Sequence, residues 1–427
     1  MRDLILQLSK SSIYSTKPSS GSSLESELQE IVKEGNSLKI LLFEVKDILK
    51  AKQFSKQESK YLFCLIHNLI LLLLKNKKAD ELINQDLQDE IKTCLVTIVN
   101  LLGVDVLKGY SAKNYNHVHK IGYLKLLGLD AERDLCYIED VNLSNMSVKF
   151  KIASHHDTLP RLFLNGKETI PLSAKVRELT IFDLSFSFEI YFWVSYNSTT
   201  QELSLQNDFI TGIIVNGKRL SKVAIVSIIN SHVRKNVQSY AITRKAKILR
   251  SIATSSIIKN KYSNSWLFID NELRADDNAE HFYRYVSKYH PGEKCYFLIS
   301  EQSPDWQRLK NDGFNLVKFG SLAHRLALLN AKYLLSSHAN PAIVNYLPRK
   351  YYADIMKYKF VFLQHGITKD DQSEWLNSRK IDYLVTAARH EFSDISGRGR
   401  YRYTSQETIL TLSLIHISEP TRPEPIS

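Results

Sequence analysis

From Trp266 to Val385 short apolar runs alternate with helical patterns, and no other feature of the chain restricts its fold as tightly. Trp266-Leu-Phe-Ile269 reads as a strand, Asn278 to Tyr289 as a helix, Cys295-Tyr-Phe-Leu-Ile299 as a strand and Pro304 to Asn311 as a helix. Leu316-Val317 and Tyr333-Leu-Leu335 read as strands flanking a helix over Leu322 to Ala331, and Tyr358 to Leu363 and Tyr383-Leu-Val385 complete the series. Strands separated by helical crossovers pair in parallel, so the fold class is α/β, with a Rossmann-like parallel sheet. Ligands of open parallel sheets bind outside the carboxyl ends of the strands. Those ends carry Asp270, Ser300, Ser337-His338, Gln364-His365 and Thr386, so polar groups collect on one edge.

The densest set follows Phe360-Val-Phe-Leu363, where Gln364, His365, Gly366, Thr368, Lys369, Asp370 and Asp371 succeed one another with a single apolar residue among them. This loop is the candidate site. A histidine titrates near neutrality and suits proton transfer. Gly366 lets backbone approach a phosphate, and Thr368 and Lys369 suit contacts to phosphate oxygens. Asp370 and Asp371 would either orient His365 or cap the helix that follows. His338 and Asn340 are secondary candidates on the same edge, with a structural role as the alternative. Asp276 and Asp277 would be substrate-binding residues or the N-cap of the Asn278 helix. No His, Cys, Asp or Glu spacing indicates a metal site.

Upstream the pattern changes twice. Residues 1–142 read as a helical region, with helices over Leu38 to Lys50, Lys60 to Lys75 and Leu87 to Leu102 and a serine-rich linker over Ser11 to Ser23. Residues 143–230 read as a small antiparallel β domain: Val148 to Ile152 and Leu184 to Phe192 alternate, and Asn165-Gly166 and Asn216-Gly217 follow apolar runs as hairpin turns. The aromatic strand residues read as core, with a carbohydrate-binding face as the alternative. Residues 231–261 carry eight basic residues and no acidic one, interleaved with Val and Ile, and lead into the Rossmann-like part that extends to residue 411. Such a segment lies on an anionic membrane surface or forms a solvated helix.

The chain of 427 residues has 57 Lys+Arg against 45 Asp+Glu, a net charge of +12 that favours anionic partners. Nucleic acid is not expected among them, because no nucleic-acid-binding motif is present. Four scattered cysteines without a CxxC pair indicate a reducing compartment. The longest apolar run, Tyr61 to Leu74, is 14 residues and interrupted by His67 and Asn68. It falls short of the roughly 20 needed to span a bilayer and reads as a buried helix.

Trp266-Leu-Phe-Ile-Asp270 with Arg274-Ala-Asp-Asp-Asn-Ala-Glu280, Phe362-Leu-Gln-His-Gly-Ile-Thr-Lys-Asp-Asp371 with Trp375-Leu-Asn377, and Ile381-Asp-Tyr-Leu-Val-Thr386 with Glu391 together resemble the CDP-glycerol glycerophosphotransferase family. Its members polymerise or prime teichoic acids and related phosphate-linked capsules. The resemblance covers residues 262–411 and implies the first half of a GT-B enzyme, acting at the inner face of the cytoplasmic membrane on a polyol-phosphate polymer acceptor. CDP-glycerol would be the donor substrate and no cofactor is implied. His365 would be the catalytic base, with Gln364, Gly366, Thr368, Lys369, Asp370, Asp371, His338, Asn340, Asp276 and Asp277 as substrate-binding candidates. Leu412 to Ser427 resembles a translated sequencing-adaptor and is expected to be non-native, so that the donor-binding half is expected beyond Thr411 and the chain by itself is expected to be inactive. The competing expectation is a non-catalytic module that binds an anionic glycan or a membrane surface.

Overall fold

Helix-period burial builds the first part of the molecule. The computed structural model describes residues 22–75, 78–129, 134–143, 145–200, 202–206, 210–215, 218–236, 242–364, 368 and 370–411. The linker over Ser11 to Ser23 falls almost wholly outside these residues, and Ser22 already begins the helix Ser22–Lys33. Helices Gly35–Ala51, Lys56–Lys75 and Gln85–Gly109 pack around Leu38, Leu42, Phe63, Ile66, Ile70, Ile91 and Ile98, all fully buried. Asn84 starts the longest of them by accepting from the Leu87 N–H at 3.0 Å. Gly103 interrupts it, with φ of 77° and ψ of 164°. Among the described residues, no helix is long and apolar enough to cross a membrane.

Ten short strands follow: β1 (Asp134–Asn142), β2 (Ser147–Ser154), β3 (Arg161–Leu164), β4 (Lys167–Thr169), β5 (Ser173–Ile181), β6 (Leu184–Ser195), β7 (Glu202–Gln206), β8 (Ile210–Val215), β9 (Lys218–Leu220) and β10 (Lys222–Ala224). They form a six-stranded sheet in the order β5-β6-β2-β1-β8-β9 and a four-stranded sheet in the order β10-β7-β3-β4. Every pairing between described residues of these sheets is antiparallel except β1 with β8. β1 lies within the region whose sequence reads as helical. Its interior includes Glu139 and Asp140, which hide the strand period until β2 and β8 pair with it. Asn165 and Gly166 turn the β3–β4 hairpin with φ of 50° and 76°. Asn216 and Gly217 lie outside the described residues. Phe150, Phe186, Tyr191, Phe192 and Trp193 are buried, which makes them core rather than a carbohydrate-binding face.

The third sheet has seven strands: β11 (Trp266–Ile269), β12 (Cys295–Ile299), β13 (Leu316–Lys318), β14 (Tyr333–Ser336), β15 (Lys359–Phe362), β16 (Tyr383–Thr386) and β17 (Thr408–Leu410). Their order is β13-β12-β11-β14-β15-β16-β17, and every pairing is parallel. β17 is a strand that the sequence reading does not single out. Helix Asn278–Tyr289 buries Ala279, Tyr283 and Val286 against Phe268 and Phe297 on one face. Helix Leu322–Asn330 closes the other face with Leu326, Ala327 and Leu329 against Leu267 and Leu334. Full burial of each such large side chain contributes roughly 1.5–3 kcal/mol.

The three parts are joined by specific contacts. Gly122 lets the helix His117–Leu126 approach Phe186 so closely that a Cβ there would lie 2.2 Å from the ring. Lys149 on β2 donates to both carboxylate oxygens of Glu407 at 2.7 and 2.9 Å, and Trp193 Nε1 donates to the same carboxylate at 3.3 Å. These contacts tie the six-stranded sheet to the residues leading into β17.

The basic segment divides into pieces. Helices Arg244–Ala253 and Ser256–Tyr262 are separate, the side chains of Arg234 and Lys235 lie outside the described residues, and Arg250 is held by Asp354 at 2.5 Å. Lys245, Lys247, Lys259 and Lys261 remain exposed.

Candidate functional site

The strand order reverses between β11 and β14, and at such a point the loops leaving adjacent strands diverge and open a crevice. Asp270 follows β11, Ser337 follows β14, Gln364 follows β15 and Ala387 follows β16, so four neighbouring carboxyl ends supply one edge.

Asp270 is 1% exposed and organises the β11 side. Its carboxylate accepts from the Asp277, Ala279 and Glu280 N–H groups at 3.2, 2.9 and 3.2 Å, and from Ser337 Oγ at 2.6 Å. The N-terminus of helix Asn278–Tyr289, a place for an anion, is thus occupied by an internal one. Burial pushes the Asp270 carboxyl up to about 6 against the pull of these donors. Further into the same helix, Glu280 is buried as well. Burial would raise its carboxyl, but Arg308 at 2.7 and 2.8 Å and Arg284 at 2.6 Å outweigh that and hold it at about 2.

The β15 side carries the candidate loop. Gln364 is buried and has a φ of 55°, a left-handed conformation that a non-glycine residue adopts at a cost. Its carbonyl accepts from Asn278 Nδ2 at 2.5 Å, and its Nε2 donates to Thr368 Oγ1 at 3.1 Å. The Thr368 N–H and hydroxyl both donate to Glu391 Oε1, at 2.9 and 2.7 Å, while Glu391 Oε2 accepts from the Ala387 N–H at 2.9 Å. His365, Gly366 and Lys369 lie outside the described residues.

The remaining candidates divide between the edge and structural work. Asp371 accepts from the Ser373 N–H at 2.9 Å and pairs with Arg400 at 3.0 Å, but the N-cap of the short helix Ser373–Asn377 is Gln372 rather than Asp371. Asp370 is exposed beside it. Asp277 is the N-cap of helix Asn278–Tyr289 and accepts from the Asn278 N–H at 2.7 Å. Asp276 is exposed with a φ of 75°, and its N–H donates to Glu280 at 2.7 Å. His338 is half-buried on the loop after β14, its N–H donating to Ser336 Oγ at 3.0 Å. Asn340 precedes helix Pro341–Val344 without a side-chain cap bond. Among the described residues, no group of three His, Cys, Asp or Glu side chains is placed to hold a metal. The sequence reading places Ser337 on this edge without a partner and gives Asn278 and Glu391 no role there. Each makes its contact to a residue 23 or more positions away, so no local pattern marks it.

Comparison with known proteins places this edge in a family. Residues 251–408 match the family described as CDP-Glycerol:Poly(glycerophosphate) glycerophosphotransferase. This segment is similar to members of that family. The minor teichoic acid biosynthesis protein GgaB of Bacillus subtilis (strain 168) is 39% identical over 149 residues, which is 34% of this chain and 16% of GgaB. The chain therefore spans a small part of that relative's length. The solved structure of the wall teichoic acid polymerase TagF is similar at 14% identity with a TM-score of 0.26, over 39% of this chain and 43% of that one. The matched segment runs from the end of helix Arg244–Ala253 through helix Ser256–Tyr262 and strands β11 to β16 to the first residue of β17, and contains every residue of the edge.

Proposed function

We propose that the protein transfers glycerol phosphate, or a related polyol phosphate, from a CDP-linked donor to a growing teichoic-acid-like or capsular polymer. The single observation that carries this reading is that the glycerophosphotransferase segment coincides with the polar edge at the carboxyl ends of β11, β14, β15 and β16. In the reaction, an acceptor hydroxyl attacks the β-phosphorus of CDP-glycerol. A new P–O bond forms, the bond from that phosphorus to the bridging oxygen breaks, and CMP leaves. His365 takes the hydroxyl proton, and Lys369 lies near it in sequence for contacts to phosphate oxygens, while the Thr368 N–H and hydroxyl are committed to Glu391.

On this reading the acceptor side works at the inner face of the cell membrane. Ile248, Ile252 and Ile257 are 54, 36 and 78% exposed on the two basic helices, beside the four exposed lysines. Apolar side chains flanked by lysines suit an anionic bilayer surface.

The test is CMP release from CDP-glycerol by the intact gene product with a polyol-phosphate acceptor. His365→Ala is expected to lower turnover about 100-fold, the scale of losing a general base. Retained turnover would take His365 out of that role, and acceptor binding with no transfer by the unmodified protein would leave a binding module.

A further inference from the structure

We propose that the amino edge of the parallel sheet carries a second anion site, for a phosphate monoester, where β1 of the six-stranded sheet meets the first residues of β15. A cavity of about 410 Å³ lies there. Asp140, Val141 and Leu143 line one side of it, and helix Arg349–Tyr352 with the stretch that leads from it into β15 lines the other. Small-molecule sites span roughly 300–1,000 Å³ and favour the junction of two folding units, and this cavity meets both conditions. The candidate functional site occupies the opposite ends of the same strands. β15 is four residues long and keeps the two sites about 13 Å apart.

The carboxylates of this cavity are all engaged, whereas two of its cations are not. Asp382 accepts from Lys359 Nζ at 3.1 Å and from the Phe360 N–H at 2.9 Å. Asp354 receives both arms of the Arg250 guanidinium, at 2.7 and 2.5 Å, and Asp140 pairs with Lys380 at 3.5 Å. A cation entering the cavity would therefore find each carboxylate already neutralised. Arg349 and Lys357 also line it, and among the described residues neither side chain has a hydrogen bond or an ion pair. Arg349 is half-buried, so its guanidinium has given up part of its hydration with no acceptor in return. Two positive charges are left unmatched. A phosphate monoester carries a charge of about −1.5 to −2 near neutral pH, and its oxygens suit the planar fork of an arginine. Val141, Leu143 and Met356 provide an apolar wall for the rest of such a ligand.

The experiment is calorimetric titration of the protein with glycerol 3-phosphate, with CMP and with succinate, each at low and high salt. At least one of the two phosphates is expected to bind saturably, more weakly as salt rises, and more tightly than the dicarboxylate. Arg349→Gln and Lys357→Gln are each expected to lower that affinity about 10-fold, the scale of one hydrogen bond to a charged group. Arg349→Lys keeps the charge without the fork and is expected to lose less. Because neither side chain has a partner to lose, the thermal unfolding midpoint of these variants should stay unchanged. Lys167→Gln and Lys310→Gln, exposed cations elsewhere on the surface, are expected to change affinity by less than about twofold, which separates a built site from the general pull of a basic chain. Preference for CMP would make the source of the phosphate a nucleotide and preference for glycerol 3-phosphate a polyol phosphate, and either result sustains the site. No saturable binding of either phosphate, equal binding of succinate, affinity unchanged in Arg349→Gln and Lys357→Gln, or equal losses in the Lys167 and Lys310 variants would overturn it. Binding is read without turnover, so these outcomes do not depend on His365 or on the transfer reaction.

Discussion

Replacing Asp270 by asparagine sets two physical effects against each other at the centre of the site edge. Four donors point at the Asp270 carboxylate, which favours its ionised form, while near-complete burial favours the neutral one. Burial prevails, and the folded-state value is about 6 against an ordinary 3.8. Below pH 3.8 the carboxyl is protonated in folded and unfolded chains alike, and stability is at its full value. As pH rises through about 6 the folded chain ionises a buried group that the unfolded chain ionises freely, and stability is lost. The difference amounts to about 3 kcal/mol by pH 7. The amide introduced by Asp270→Asn cannot ionise, although it exchanges one acceptor for a donor that faces the backbone N–H groups. Asp270→Asn is thus expected to be destabilising at pH 4, and less so by about 2 kcal/mol at pH 7. Urea unfolding of both proteins at several pH values, taken as differences so that other titrating groups cancel, measures this. A destabilisation that grows with pH would show that the four donors outweigh burial, and a flat difference would refute the linkage altogether.

Three further outcomes are expected. Lys149→Met leaves the Glu407 carboxylate buried without its cation and should cost about 3–5 kcal/mol in urea unfolding; a cost under about 1 kcal/mol would mean that this contact does not join the six-stranded sheet to the parallel one. Gly122→Ala forces a Cβ into the Phe186 ring and should cost about 1–3 kcal/mol. A neutral result would show that the helix His117–Leu126 shifts freely over β6. Anionic liposomes should retain the protein at low salt, and replacing Lys245, Lys247, Lys259 and Lys261 by Gln should remove about 4 kcal/mol of binding. Binding that survives the fourfold change would move the membrane contact elsewhere.

Local pattern settled much of this protein. Apolar runs from Trp266 to Val385 announce parallel strands because a strand buried on both faces must be apolar throughout, and the helix Asn278–Tyr289 is bounded by its own cap and amphipathic spacing. The polar loop after β15 and the Asn165-Gly166 turn were legible for similar reasons. What the sequence could not express were strand order, the strands β1 and β17, and the partners of Asp270, Asn278 and Glu391. Each of these depends on segments brought together from distant parts of the chain, so the hydrogen bonds that decide them exist only after the sheet has assembled. The residue types were written locally, but the choice of which carboxylate fills a helix N-terminus and which one anchors Thr368 belonged to the tertiary fold.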